Sequence, residues 1–155
     1  MPVEFFLATR HEHYEAAKHL FREYAAHIRV DLCFQNFEKE LEEITGQYGS
    51  PTGGIILCKS GNEITGCAGI RRIDKETGEL KRMYIKLAHH GKGWGKQLLE
   101  RSLQLAKQLK YSKVRLDTLP SMEAAHTLYK QAGFVETPAY YHNPNAGVIF
   151  MEKTL

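Results

Sequence analysis

Residues 79–99 read ELKRMYIKLAHHGKGWGKQLL, a strand, a glycine-rich turn and a helix in succession. Leu80, Met83, Tyr84 and Ile85 form a short apolar and aromatic run bounded by charge, which suits a strand. Gly91, Gly93 and Gly95 then recur at every second position, too densely for a regular element. From Gln97 the period changes: Leu98, Ser102, Leu105, Ala106 and Leu109 share one helical face. The first amides of a helix have no internal partners and carry the positive end of its dipole. Glycines just before it let the backbone approach a ligand closely, so the turn predicts an anion cradle, most naturally for phosphate. Lys92 and Lys96 add positive charge. The competing reading is a tight connection that needs glycine only for its dihedrals.

Two common phosphate patterns fail. A P-loop needs G-x-x-x-x-G-K-[ST], but Gly95-Lys96 is followed by Gln97, and His90 stands where the first glycine belongs. A dinucleotide fingerprint needs G-x-G-x-x-G, and neither Gly91 nor Gly93 starts one. What remains, His90-Gly91-Lys92-Gly93-Trp94-Gly95, resembles the [QR]-x-x-G-x-[GA] acetyl-CoA signature of the GNAT superfamily of N-acetyltransferases, with His90 in place of Gln or Arg. A second stretch, Leu128-Tyr129-Lys130-Gln131-Ala132-Gly133-Phe134, resembles the L-Y-x-x-x-G-F ending of that family's last helix.

The rest of the chain gives the element order. Residues 3–8 read as a strand. Tyr14, Ala17, Leu20, Phe21, Tyr24 and Ile28 mark an amphipathic helix, and Phe37, Leu41 and Ile44 a shorter one ending near Gly46. Between them, 29–35 reads either as a packed connection or as one wall of an acceptor pocket. Residues 53–58 and 64–73 form a hairpin around Ser60-Gly61-Asn62, and Thr77-Gly78 turn into the strand from Glu79. Val114, Leu116 and Thr118 alternate as a fifth strand that Pro120 stops; Ser121 can cap the next helix, with Glu123 in its first turn. That helix ends at Gly133. Phe134-Val135 open a sixth strand, and 148–152 form the last. This order predicts a mixed α/β (α+β) fold in one domain spanning 1–155. The resemblance implies a mostly antiparallel central sheet of about seven strands, flanked by four helices, with a splay between the fourth and fifth strands.

Composition narrows the function classes. No apolar run approaches membrane-span length, and the N-terminus lacks a basic segment followed by an apolar one. Cys33, Cys58 and Cys67 are odd in number and lack metal-type spacing, as expected of reduced thiols in a cytoplasmic protein. The net charge of +3 comes without a basic run, so nucleic acid is not implied. No pair among the eight histidines has the i, i+4 spacing of a helical metal site, so no metal is expected.

The resemblance implies transfer of an acetyl group from acetyl-CoA to a primary amine of a small molecule or peptide. The cradle from His90 through Gly91, Lys92, Gly93, Trp94 and Gly95 to Lys96 would hold the pyrophosphate. The backbone of Met83, Tyr84 and Ile85 would pair with the pantetheine arm like an added strand. Spacing alone makes Tyr129 a core aromatic, but in its L-Y-x-x-x-G-F context it matches the family's general acid for the departing thiolate. Glu79, where many members carry a carboxylate acting on the amine through water, reads equally as a solvated strand end, and Asp117 is the weaker base candidate. Met122 stands where many members have Asn, and Met lacks that amide's hydrogen bonds. Arg71, Arg72 and Arg82 are candidates to bind an acceptor carboxylate or simply surface charge. Tyr140-Tyr141-His142-Asn143-Pro144 reads as a loop that closes over the acceptor or packs on the sheet. A homodimer is a further candidate assembly. A non-catalytic acyl-CoA sensor or partner-binding module on the same fold is the alternative function.

Overall fold

A computed structural model describes residues 2–28, 32 and 36–155. The expectation placed on 29–35 falls, apart from Leu32, outside the described residues. The strands are β1 (Val3–Leu7), β2 (Gly54–Ser60), β3 (Glu63–Arg72), β4 (Thr77–Ile85), β5 (Lys113–Thr118), β6 (Val135–Glu136) and β7 (Ile149–Thr154). The helices are α1 (His11–Ile28), α2 (Phe37–Glu42), α3 (Ile44–Gln47), α4 (Trp94–Gln108) and α5 (Glu123–Gln131), with a 3-10 turn at Leu87–His89. The strands form one seven-stranded sheet in the order β1-β2-β3-β4-β5-β7-β6, antiparallel except where β4 meets β5.

The expected mixed sheet is present, with five helices in place of four. The extra one comes from Glu43, whose φ of −103° leaves helical geometry and divides α2 from α3. No proline or glycine marks that break. Thr77 and Gly78, expected as a turn, are the first residues of β4. Gly78 is there because a Cβ would lie 2.9 Å from the Tyr111 ring, so the strand passes under an aromatic lid. Ser121 does not cap α5; Met122 holds the N-cap position, and no side chain caps the helix.

Apolar periodicity fills both faces of the sheet. On one face, Leu98, Leu99, Leu105 and Ala106 of α4 and Tyr129 of α5 pack on Leu80, Val114, Leu116 and Met151. On the other, Ala17, Leu20 and Phe21 of α1 join Leu41, Ile44 and Tyr48 over Ile55, Leu57 and Cys67. Each fully buried leucine contributes about 1.5–3 kcal/mol.

Two features of β4 shape the site. Its parallel pairing with β5 covers only Thr77–Glu79 opposite Lys113–Arg115, after which the strands part. Against β3 the register shifts between Cys67 and Gly69, so Ala68 faces both Arg82 and Met83. Arg82 takes a left-handed φ of 57°, the mark of a bulge. It turns the strand so that Met83 and Ile85 pack toward α4 while Tyr84 packs toward α1.

Candidate active site

The gap between β4 and β5 opens into two clefts. The larger holds about 1230 Å³ of empty space and is lined by Met83, Tyr84 and Ile85 of β4, by the 89–96 turn, and by 121–125 and Leu128. The smaller is lined by Lys81, Arg82, Asp117, Thr118, Tyr129, Asn143 and Asn145, with an apolar remainder. Tyr24, Met83 and Met122 line both, so the clefts meet there.

The floor of the larger cleft is built as the glycines require. Gly91 and Gly93 sit at φ +82° and +79°, and a Cβ at either would meet nothing within 4 Å. Both are backbone conformations that glycine adopts without strain. Gly93 is the N-cap of α4 and no side chain caps that end, which leaves the first amides of a 15-residue helix facing outward. Of the expected cradle residues, His90, Gly91, Gly93, Trp94, Gly95 and Lys96 line this cleft. Lys92 does not: its ammonium lies 4.9 Å from the centre of the Trp94 ring and 3.2 Å from His89 Nδ1. The His90 side chain turns back to the strand, where Nε2–H donates to the Ile85 carbonyl at 2.7 Å.

The smaller cleft is walled by charge that is already paired. Glu40 of α2, 1% exposed, receives Arg82 Nη2 at 2.8 Å and Nε at 3.1 Å, and the Tyr48 hydroxyl at 2.8 Å. Burial pushes the Glu40 carboxyl up, but the Arg82 hydrogen bonds and charge outweigh it and leave it below the ordinary carboxylate value. Lys81 Nζ lies 3.4 Å from Asp117 Oδ1 and 3.8 Å from Glu79 Oε2. Burial lowers the Lys81 pKa against the opposing pull of both carboxylates. Asp117 also accepts the Tyr141 hydroxyl, and Asn143 Nδ2 at 3.1 Å. Desolvation raises its pKa, yet the Lys81 charge and the Tyr141 hydrogen bond bring it below the ordinary value.

Glu79 occupies neither cleft wall. It is 5% exposed, receives Arg71 Nε at 3.0 Å and the Tyr140 hydroxyl at 2.7 Å, and sits behind Lys81. It is thus not the solvated strand end that its neighbours in sequence suggest. The buried Arg82 and the half-buried Arg71 are likewise ion-pair partners and not free surface charge, being committed to Glu40 and Glu79. The 140–145 loop packs on the sheet and reaches the site at once: the Tyr140 and Tyr141 rings meet Phe150 edge-on, while Asn143 and Asn145 line the smaller cleft.

Tyr129 is 6% exposed, with its ring edge-on to Phe134 at 5.7 Å. Its hydroxyl makes no hydrogen bond among the described residues, although the ring lines the smaller cleft. Burial, and then the nearby Tyr24 and Asp117 charges, hold its pKa well above the ordinary 10.0, so it carries its proton at neutral pH. Sequence reasoning missed three contributors: Glu40, Asn145, and Tyr24 as a residue common to both clefts. Tyr24 was visible only as one more apolar position of α1.

A central sheet parted between a fourth and fifth strand, with a glycine turn into a helix beside the gap, can be set against known proteins. The model of the acetyltransferase (GNAT) family matches residues 8–134. The chain belongs to the GNAT acetyltransferase family. Among relatives of this GNAT chain, an uncharacterized N-acetyltransferase of Schizosaccharomyces pombe is 34% identical over 136 residues, 86% of this chain and 83% of its own length. A GNAT-family acetyltransferase of Staphylococcus aureus Mu50 shares the fold with a TM-score of 0.81 at 20% identity, over 99% of both chains. A GNAT acetyltransferase from Elizabethkingia anophelis, solved with acetyl-CoA bound, gives a TM-score of 0.65 at 22% identity over 99% of this chain and 98% of its own. Among the described residues of this acetyltransferase no cluster of His, Cys, Asp and Glu could hold a metal ion, and no helix is long and apolar enough to cross a membrane.

Proposed function

We propose that this acetyltransferase transfers the acetyl group of acetyl-CoA to a primary amine held in the smaller cleft, by direct attack on the thioester. The meeting of the two clefts at Tyr24, Met83 and Met122, beside the opening of the β4–β5 pair, carries the reading. The pyrophosphate would take the 91–96 turn and the open end of α4. The pantetheine arm would run along Met83, Tyr84 and Ile85, whose backbone faces no partner strand on the β5 side. Its thioester then lies where the clefts join.

In the reaction the amine nitrogen attacks the thioester carbon, the carbon–sulfur bond breaks, and sulfur leaves as a thiolate. The Tyr129 hydroxyl, which carries its proton at neutral pH, supplies the thiolate's proton, and the proton released by the amine restores it through water. Asp117 lines the acceptor cleft and stays ionised, so it orients the incoming amine, whose proton leaves through water. Glu79 acts behind it, through Lys81 and Tyr140. The buried free thiols Cys58 and Cys67 fit a reducing, cytoplasmic setting.

Acetyl-CoA titrated by calorimetry, followed by thiol release with a panel of primary amines and peptides, tests the reading. Binding with amine-dependent release is expected. Binding without release for any amine would assign an acyl-CoA sensor instead, and no binding would remove the cofactor. Sedimentation of the same sample distinguishes monomer from homodimer.

A further inference from the structure

The smaller cleft is lined by one residue whose polar side-chain atom is both buried and without a hydrogen-bond partner among the described residues. Thr118, the last residue of β5, is 4% exposed and lines the cleft, yet its Oγ1 is buried without a hydrogen-bond partner. Buried hydroxyls are almost always paired, and an orphan is costly unless a ligand completes it. Thr118 lies three residues past Arg115, the last β5 residue paired with β4, where the strands have parted. It falls on the same alternating face of β5 as Val114 and Leu116, which pack in one cluster with Tyr129.

The charged groups of the described lining are in the opposite condition. Arg82 is held by two bonds to Glu40, Lys81 by Asp117 and Glu79, and Asp117 by Lys81, Tyr141 and Asn143. A carboxylate or a second ammonium on the substrate would have to break one of these buried pairs. A neutral hydrogen-bonding group would not, and it could engage Thr118.

We infer that the acceptor is a small primary amine bearing an uncharged hydroxyl or amide close to the amine, read by the Thr118 hydroxyl, with its apolar part against Leu80, Met83 and Leu119. This rests on the acetyltransferase reading above and names the acceptor class for that same site. Thr118 is a specificity-determining residue. It selects by leaving an unpaired buried hydroxyl when the substrate lacks the group.

A series of related amines tests this. Leucinol, leucinamide and leucine share one carbon skeleton and differ in the polar handle, and isoamylamine lacks the carbon that carries it. With full-length protein, kcat/KM for leucinol and leucinamide should exceed that for isoamylamine and for leucine by about tenfold or more. In Thr118→Val the leucinol-to-isoamylamine ratio should fall to about one, and Thr118→Ser should restore it. A structural role would lower both substrates together and leave the ratio intact. Leucine as the best substrate, an unchanged ratio in Thr118→Val, or no turnover of any of the four by protein that binds acetyl-CoA would each overturn the inference. Failure to bind acetyl-CoA would instead overturn the function on which it rests.

Discussion

The two ends of the β4–β5 pair are held together by different forces. At the closed end, Thr77–Glu79 lie in register with Lys113–Arg115, the Ser112 amide donates to the Glu76 carbonyl at 2.9 Å, and Tyr111 lies over Gly78. Backbone hydrogen bonds and one aromatic lid suffice. At the open end no ladder joins the strands. Side-chain charge takes over: Arg82 to Glu40 across to α2, and Lys81 to Asp117 across the gap itself. Backbone ladders tolerate most substitutions, whereas a buried ion pair depends on both members. The open half of the sheet is thus the half most exposed to single changes of sequence and to acid.

The sharpest way to break this contrast is to remove one anchor of the open end. Glu40→Ala strands the Arg82 guanidinium in the interior and should cost about 3–5 kcal/mol in urea unfolding. A loss near zero would mean that the open end does not depend on this pair. Next in size is Tyr129→Phe, which keeps the ring against Phe134 and removes only the proton donor. Turnover should fall about a hundredfold or more while acetyl-CoA affinity and melting temperature change far less. Normal turnover would return Tyr129 to the hydrophobic core. Gly93→Val comes third: φ +79° is strained for a β-branched residue, so calorimetry should show acetyl-CoA affinity reduced about tenfold in a variant that remains folded.

Acid sharpens the comparison more gently. The folded-state pKa of Asp117 lies below its ordinary 3.8, so the unfolded chain binds the proton more readily than the folded one. The stability this carboxylate contributes is fully present above 3.8 and is lost as pH falls through the lower folded value. Unfolding of wild type and Asp117→Asn across acid pH should show a gap between them that closes in that window. A gap independent of pH would place the contribution elsewhere. The smallest effect belongs to the closed end. Thr77 Oγ1 is also buried without a partner among the described residues, but Thr77 lines neither cleft. Thr77→Val should change stability by less than about 1 kcal/mol, in either direction, and leave turnover alone.

What was legible in the sequence was what depends on neighbours along the chain. The glycines at 91 and 93 and the Leu128–Phe134 stretch each encode a local geometry that appears in the structure, whereas Gly95, expected in the turn, lies inside α4, which starts at Trp94 and not at Gln97. Alternation in Val114, Leu116 and Thr118 gave β5 correctly. Glu40 and Arg82 are 42 positions apart, and nothing local to either announces the other. Glu79 reads as a terminus because Gly78 precedes it, but the strand starts earlier because Tyr111, far along the chain, fills the space over that glycine. Arg82 in a left-handed conformation is equally silent, since arginine carries no preference for it.

The bulge at Arg82 also acts as a change of reading frame. A strand normally sends alternate side chains to opposite faces, so its two rows keep their sides to the end. Here one surplus residue puts Lys81 and Arg82, though adjacent, both among the charged groups of the acceptor side, and starts a new alternation at Met83. The same strand thereby shows charge where an amine would arrive and apolar surface where a cofactor arm would lie. What β4 must preserve is therefore a count of residues between Leu80 and Ile85, and a one-residue deletion there would interchange the two surfaces without altering the chemistry of any side chain that remains.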